Sequence, residues 1–341
     1  MAKKRNINFD LIRILACLMI VAMHSPIPNE NANGMFLSAL SYLSAPGVGL
    51  FFMISGALIL PTHTDLKSFL KKRFSKVFIP VVIWNLFYLA IKSFIFNQPI
   101  DWFRNIISLP FSVSGSPVFW FIYTLMGLYL LSPILSRWLD TASKGELQFY
   151  LSIWFICLCY PVLRHIGIID SSNTGILYYF SGYVGYFILG YYLKKYPDSF
   201  SWKLLIPALL ISMILPILIK MINIKVNFYE LFWYLSIFVV IQCIGWWKMI
   251  EKINTNVMKN RRKNFVVILS NLTFGIFLIH IFIMRYILWH CDFILHINNY
   301  YIQTAVIIIL TFILSAICSY IISLLPKAQY FIGVNNRISK A

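Results

Sequence analysis

Residues 9–24 read FDLIRILACLMIVAMH, an apolar stretch that contains the ionisable side chains of Arg13 and His24. The stretch lies in an apolar run, 8–26, that is long enough to cross a bilayer as a helix. Ionisable groups inside a membrane are costly and indicate a functional site by default. On a helix, eleven residues advance about 16 Å and turn only slightly. The stretch therefore predicts a membrane helix with a cation and an imidazole on one face at different depths.

The whole chain has the composition of a membrane protein. Of its 341 residues, 60% are hydrophobic and 12% are charged, which is about half the charged fraction of soluble domains. Ten apolar runs are long enough to span a bilayer: 8–26, 37–59, 77–96, 117–136, 147–163, 176–193, 203–220, 227–248, 265–289 and 300–326. Pro207 and Pro216 interrupt the seventh. We expect an all-α polytopic membrane protein of about ten transmembrane helices, with 1–341 as one transmembrane domain and no appended soluble domain.

The basic residues are distributed unevenly among the loops. Alternate loops and termini hold 22 of the 29 Lys and Arg residues on one side and 4 on the other, and three lie within the runs. Cytoplasmic loops carry such an excess, so the pattern predicts that both termini are cytoplasmic. This topology accounts for the net charge of +18 better than phosphate-backbone binding does, and no nucleic-acid partner is expected. Asp10 and Arg13 interrupt the first run, which indicates a retained helix and not a signal peptide.

With this topology, polar side chains in the runs form two layers. The inner, cytoplasmic layer contains Arg13, Ser55, Arg73 and Lys76. The outer layer contains His24, Trp120, Tyr123, Glu230 and His280. Arg73 and Lys76 are one helical turn apart and share a face. Cys157 and Cys159 project from different faces of a helix, so neither a disulfide nor a metal site is suggested.

Five stretches of the chain resemble, in order, motifs of the acyltransferase-3 family of integral membrane acyltransferases. They are FDLIRILACLMIVAMH (9–24), GVGLFFMISGALI (47–59), FLKKRFSKVFIP (69–80), SPVFWFIYTLMGLYLLSPIL (116–135) and SNLTFGIFLIH (270–280). The chain is similar to small bacterial members that consist of the membrane domain alone. The resemblance implies an O-acetyltransferase-like enzyme in the bacterial cytoplasmic membrane. Such an enzyme moves an acyl group, commonly acetyl, from cytoplasmic acyl-coenzyme A to a hydroxyl of a glycan or lipid-linked glycan.

The resemblance also implies roles for individual residues. His24 is the catalytic imidazole and Arg13 is its partner in the motif. The family's Arg-x-x-Arg occurs here as Arg73-Phe-Ser-Lys76, which keeps both charges but lacks the second planar guanidinium. These two cations, with Ser55, are expected to bind the coenzyme A donor. The acceptor would be bound by residues of the outer layer: Trp120, Tyr123, Glu230 and His280.

The chemistry of the residues agrees with this implication. A histidine near neutral pH can act as a general base toward the acceptor hydroxyl, or it can carry the acyl group as a covalent intermediate. The pattern does not separate these two mechanisms. A separate extracytoplasmic transferase is a further possible partner, since some family members carry an appended domain that completes transfer.

Simpler interpretations exist for each residue. Arg13 could be an interfacial cation paired with Asp10, and His24 could cap its helix. Ser55 could serve close packing, while Trp120 and Tyr123 could belong to the aromatic belt. His280 could be a hydrogen-bonded core residue, and Glu230 could face water. For the whole chain, the main alternative is a transporter or flippase for a polysaccharide or small solute; a non-catalytic scaffold would leave Arg13 and His24 unexplained.

Overall fold

A computed structural model describes residues 5–28, 34–169, 177–222, 224 and 226–334. The ends of the chain, 1–4 and 335–341, were predicted to be cytoplasmic and lie outside the described residues. The same is true of five basic residues used in the loop count: Lys3, Lys4, Lys225, Arg337 and Lys340.

The protein is all-helical, with 78% of the chain in helices and no strand within the described ranges. The α-helices are α1 Ile7–His24, α2 Gly34–Ser44, α3 Pro46–Ile59, α4 Leu66–Arg73, α5 Ile79–Ala90, α6 Trp102–Ser108, α7 Trp120–Thr141, α8 Lys144–Leu158, α9 Tyr160–His165, α10 Val184–Lys195, α11 Trp202–Met221, α12 Phe228–Leu231, α13 Ile237–Glu251, α14 Asn260–Ile281, α15 Asp292–Leu295, α16 Tyr300–Ser323 and α17 Gln329–Ile332. Three π-helices, Phe74–Phe78, Ile91–Ile95 and Phe282–Ile287, continue α4, α5 and α14 respectively.

Eight helical segments are long and apolar enough to cross a membrane, as judged by length and composition. They are Ile7–His24, Gly34–Ile59, Leu66–Ile95, Pro117–Thr141, Lys144–His165, Trp202–Met221, Asn260–His290 and Tyr300–Ser323. The predicted number of about ten is not confirmed. In the sixth and eighth predicted runs, α10 has only 12 residues and α13 only 15. The chain before each helix, 177–183 and 226–236, is mostly irregular.

The two prolines of the seventh predicted run do not end its helix. Pro207 and Pro216 both lie inside α11, which runs continuously for 20 residues. Membrane helices tolerate internal proline because neighbouring groups satisfy the freed carbonyls. Only 17% of this segment is buried within the protein, compared with 78% of Gly34–Ile59, so α11 is peripheral whereas α3 is central.

The tightest helix contact holds α3 against α10. A Cβ atom at Gly56 would lie 1.8 Å from the carbonyl oxygen of Phe187, and one at Gly190 would lie 1.9 Å from that of Met53. Glycines permit this approach because small residues let membrane helices pack backbone to backbone. Helix α1 packs on α3 and α14. Helices α1, α3 and α14, which carry Arg13, His24, Ser55 and His280, therefore form one packed group.

Candidate active site

One cavity of about 570 Å³ brings together four side chains singled out from the sequence. They are Arg13 from α1, Ser55 from α3, Arg73 at the end of α4 and Lys76 in the π-helix that follows α4. The cavity lies at the end of the bundle where α1 and α14 begin, which we call the basic end. Its size is typical of a small-molecule site.

The lining of the cavity is strongly cationic. Arg5, Arg13, Arg73 and Lys76 line it, and none of its described lining residues is Asp or Glu. A concave surface with clustered cations of this kind attracts anions, and guanidinium groups bind phosphate through paired hydrogen bonds. The chemistry of the lining therefore favours a polyanionic ligand.

The buried carboxylate of Asp10 orders Arg5, which precedes α1, and lies near Arg13 of α1. Arg5 donates to both of its oxygens, from Nε and Nη2, at 2.7 Å each, and Ser270 Oγ donates to Oδ1 at 2.7 Å. Arg13 Nη1 donates to Ser270 Oγ at 3.3 Å and lies 4.0 Å from Asp10 Oδ1. The paired hydrogen bonds thus go to Arg5. Most N–H groups of the Arg13 guanidinium therefore remain available to a ligand in the cavity.

Arg73 is held by aromatic rings and not by a carboxylate. Its guanidinium carbon lies 5.5 Å from the ring centre of Phe69 and 5.7 Å from that of Tyr129. Its Nε atom is buried without a hydrogen-bond partner in the described part of the chain. The cation–π contacts fix the side chain and leave hydrogen-bonding capacity toward the cavity.

The π-helix Phe74–Phe78 brings Lys76 to the same cavity. It precedes Pro80, which has no N–H to donate to the carbonyl four residues earlier, that of Lys76. Local π-helices often occur at functional sites. Gly333, in a left-handed conformation with φ +72°, closes the wall here, and a Cβ at this position would lie 2.6 Å from the Lys76 carbonyl oxygen.

The two histidines of the outer layer are neighbours. The ring centres of His24 and His280 are 5.5 Å apart. Each Nδ1 faces a carbonyl of its own helix, Ile20 O at 2.8 Å and Phe277 O at 2.6 Å. Because a carbonyl oxygen only accepts, each Nδ1 carries the proton, and each Nε2 retains a lone pair. The Nε2 of His280 is buried and has no partner among the residues described.

Aromatic rings stand between the cavity and the histidines. Phe121 and Phe277 line the cavity, with ring centres 5.7 Å apart, whereas neither His24 nor His280 lines it. The ring of Phe277 also lies 5.6 Å from that of His280, measured between centres. The cationic cavity therefore ends one aromatic ring short of the imidazole pair.

This arrangement agrees with a comparison of the sequence against known families. A family model described as an acyltransferase domain matches residues 6–324. The chain belongs to the acyltransferase-3 family. No curated protein and no solved structure matches it. The protein is accordingly a multi-pass membrane acyltransferase, and the cavity and the imidazole pair are the candidate site of this acyltransferase-3 protein.

The other three residues proposed for acceptor binding each lie in a different environment in the acyltransferase. Trp120 packs against aromatic rings from two irregular segments. The hydroxyl of Tyr123 donates to the carbonyl of Leu109 at 2.6 Å. Glu230 forms an ion pair with Arg164 at 3.0 Å. The structure does not bring Tyr123 or Glu230 into the cationic cavity.

Sequence reasoning missed several residues of the site. Arg5 was counted only as a loop charge, yet it joins α1 to α14 through Asp10 and through Asn271 Oδ1 at 2.8 Å. Ser270 and Asn271 open the motif SNLTFGIFLIH, so their polarity at the depth of Asp10 was an available signal. Tyr129 lies in the motif SPVFWFIYTLMGLYLLSPIL (116–135), but its apolar neighbours gave no indication that its ring would contact Arg73.

Proposed function

We propose that this acyltransferase moves an acetyl group from cytoplasmic acetyl-coenzyme A to a hydroxyl of a glycan or lipid-linked glycan on the other side of the bacterial cytoplasmic membrane. The observation that carries the proposal is the cationic cavity, with four basic side chains around about 570 Å³. Coenzyme A combines several phosphates with a long flexible arm that ends in a thioester. The clustered cations suit the phosphates, and the basic loops favour a cytoplasmic location for this end.

The donor would bind with its phosphates near Arg73 and Lys76. The guanidinium of Arg73 can form two parallel hydrogen bonds to a phosphate, whereas the ammonium of Lys76 acts as a point charge. Arg13 and Ser55 lie on the cavity wall beyond them. The arm would extend from there along α1, on which Arg13 and His24 are separated by a rise of about 16 Å.

His24 would perform the chemistry through Nε2. As a general base, it takes the proton of the acceptor hydroxyl while that oxygen attacks the thioester carbonyl. The new C–O bond forms, the C–S bond breaks, and the coenzyme A thiolate leaves and is protonated. Alternatively, Nε2 attacks the thioester first: the N–C bond forms, the C–S bond breaks and the thiolate leaves. The acceptor hydroxyl then attacks the acyl-imidazole, the N–C bond breaks, and the proton of the hydroxyl passes to the thiolate or to the released imidazole. The hydrogen bond from Nδ1 to Ile20 O supports both routes, because it leaves the Nε2 lone pair available.

A polysaccharide transporter or flippase is the second candidate. Its support is that α10 and α13 are short and follow irregular segments, since interrupted helices mark the substrate sites of many transporters. Binding of coenzyme A separates the two candidates. A transporter should not bind acetyl-coenzyme A through Arg73 and Lys76.

The proposal is tested with purified protein in nanodiscs and with cells in which the gene is deleted and complemented. Radiolabelled acetyl-coenzyme A should bind the wild-type protein. His24→Ala should abolish acetyl esters on surface glycans, measured by mass spectrometry, while it still binds the donor. Arg13→Ala should also abolish transfer. His296→Ala, at an exposed histidine outside the site, is the matched control. Full transfer by His24→Ala, or no donor binding by the wild type, would contradict the proposal.

A further inference from the structure

Two irregular segments meet on the side of the bundle opposite the basic end. Residues 177–183 precede α10, and residues 226–236 precede α13 and include the single turn of α12. Tyr186 Oη, in the first turn of α10, donates to the backbone carbonyl of Tyr234 at 2.6 Å. Irregular backbone at membrane depth is tolerated where it is buried in protein or lines a water-filled cavity. The two irregular segments therefore pack against each other where α10 and α13 would otherwise continue as helices.

Three aromatic side chains meet where the segments join. The ring of Trp120, at the start of α7, lies 5.3 Å from that of Tyr183 and 5.4 Å from that of Tyr234, measured between centres. All three side chains are only partly buried. We call Trp120, Tyr183 and Tyr234 the aromatic triad.

The polar atoms of the aromatic triad are largely unused. The Trp120 Nε1 and the Tyr183 hydroxyl make no hydrogen bond to any residue that the structure describes, and neither is among its buried unpartnered atoms, so both are accessible to a ligand. The hydroxyl of Tyr234 donates only to Met23 Sδ, at 3.3 Å, and a thioether is a weak acceptor. The triad thus offers partly exposed aromatic surface together with three groups that can hydrogen-bond to a ligand.

The contact with Met23 also places the aromatic triad at the end of α1 that carries His24. Met23 precedes His24 in the last turn of α1. The cationic cavity approaches the imidazoles from the basic end, and the triad contacts the same turn of α1 from the opposite end. A ligand on the triad would therefore lie at the His24 end of α1, which the cationic cavity does not reach.

We infer that Trp120, Tyr183 and Tyr234 form the acceptor subsite, which binds a pyranose ring of the glycan. The face of a pyranose presents C–H groups that pack on aromatic rings, while its hydroxyls point outward and require hydrogen-bond partners. Aromatic side chains with polar tips match both features. The triad carries no formal charge, so it favours a neutral sugar. The inference rests on the proposed function and names the residues that hold its acceptor.

Saturation-transfer-difference NMR tests the inference on the full-length protein in nanodiscs. The probes are the methyl glycosides of glucose, galactose and rhamnose, and the ring C–H protons should receive saturation from the wild-type protein. Trp120→Ala and Tyr234→Ala should each weaken binding about 2- to 12-fold, as expected for the loss of one aromatic pair. Tyr183→Phe preserves the ring and should weaken binding about 5-fold by removing one hydrogen bond.

The matched control is Trp102→Ala. Trp102 stacks on Phe94 at 6.0 Å between ring centres, outside the triad, and its removal should leave sugar binding unchanged. No saturation transfer to any of the three glycosides, or equal transfer in wild type and in all triad variants, overturns the inference.

Acetyl-coenzyme A binding, measured on the same samples, separates this inference from the proposed function. The triad variants should bind the donor as the wild type does. If sugars bind the triad but acetyl-coenzyme A does not bind the protein, the acyl-transfer proposal fails while sugar binding by the triad stands. If the donor binds and sugars do not, the acceptor subsite fails and the donor site stands.

Discussion

Replacement of Arg73 by alanine gives the most direct test of the donor site. The guanidinium lies between Phe69 and Tyr129, faces the cavity, and has a buried Nε without a partner in the described structure. No carboxylate competes for it among the described lining residues. A bound phosphate would supply the missing acceptor, so most of the interaction should appear as donor affinity.

The size of the effect follows from this environment. A hydrogen bond to a charged group contributes about 1.5–3 kcal/mol, and about 1.4 kcal/mol corresponds to a tenfold change in Kd. The cavity is open to solvent at the basic end, which screens the charge and favours the lower part of the range. We therefore expect Arg73→Ala to weaken acetyl-coenzyme A binding about 10- to 30-fold, with a smaller difference at high salt.

The assay compares the binding of two ligands to the protein in nanodiscs, acetyl-coenzyme A and acetyl-pantetheine. The second keeps the arm and the thioester of the donor but lacks its nucleotide and phosphates. Arg73→Ala should weaken only the first. Arg137→Ala removes an exposed arginine from α7 that does not line the cavity and should change neither Kd. An equal loss of affinity for both ligands, or a change of less than twofold for acetyl-coenzyme A, would refute the assignment of Arg73 to the phosphates.

Three other predictions concern charge and packing. Lys76→Arg adds a second planar guanidinium and should tighten acetyl-coenzyme A binding about threefold; weaker binding would argue against a phosphate at this position. Asp10→Asn removes the charge that orders Arg5 and Ser270 and should lower the free energy of unfolding by about 1–2 kcal/mol, since Arg5 is partly exposed. An unchanged melting temperature would contradict this. Gly56→Ala forces α3 and α10 apart and should cost about 1–3 kcal/mol, whereas Gly127→Ala, with open space around it, should stabilise α7 by about 0.5–1 kcal/mol; the reverse order in thermal unfolding would disprove the packing argument.

Hydropathy predicted the long helices well because a membrane span is defined by length and apolar composition. It did not predict where two spans lose their helical backbone. The segments 177–183 and 226–236 are rich in aromatic residues, which score as apolar, but their backbone groups are satisfied by tertiary contacts such as those of Trp154 Nε1 with Gly182 O at 2.9 Å and Tyr186 Oη with Tyr234 O at 2.6 Å. Amino-acid composition does not predict such tertiary contacts.

The candidate site, like the fold, was predictable from the sequence only in part. Arg13, Ser55, Arg73 and Lys76 could be assigned to one depth from the sequence, and they line one cavity. The part played by Asp10 could not be assigned, because it depends on partners up to 260 residues away along the chain. Depth in a membrane follows from counting residues along a helix, whereas contacts between helices follow from their packing.

The paired rings of Phe121 and Phe277 have a consequence for the living cell. A catalyst that let a thioester reach across the bilayer through an open pore would also conduct protons, and it would dissipate the gradient that drives ATP synthesis. If the cavity binds the donor as proposed, the rings of Phe121 and Phe277 on its wall would have to move aside for the thioester to reach His24, and between turnovers they would insulate the two compartments from each other.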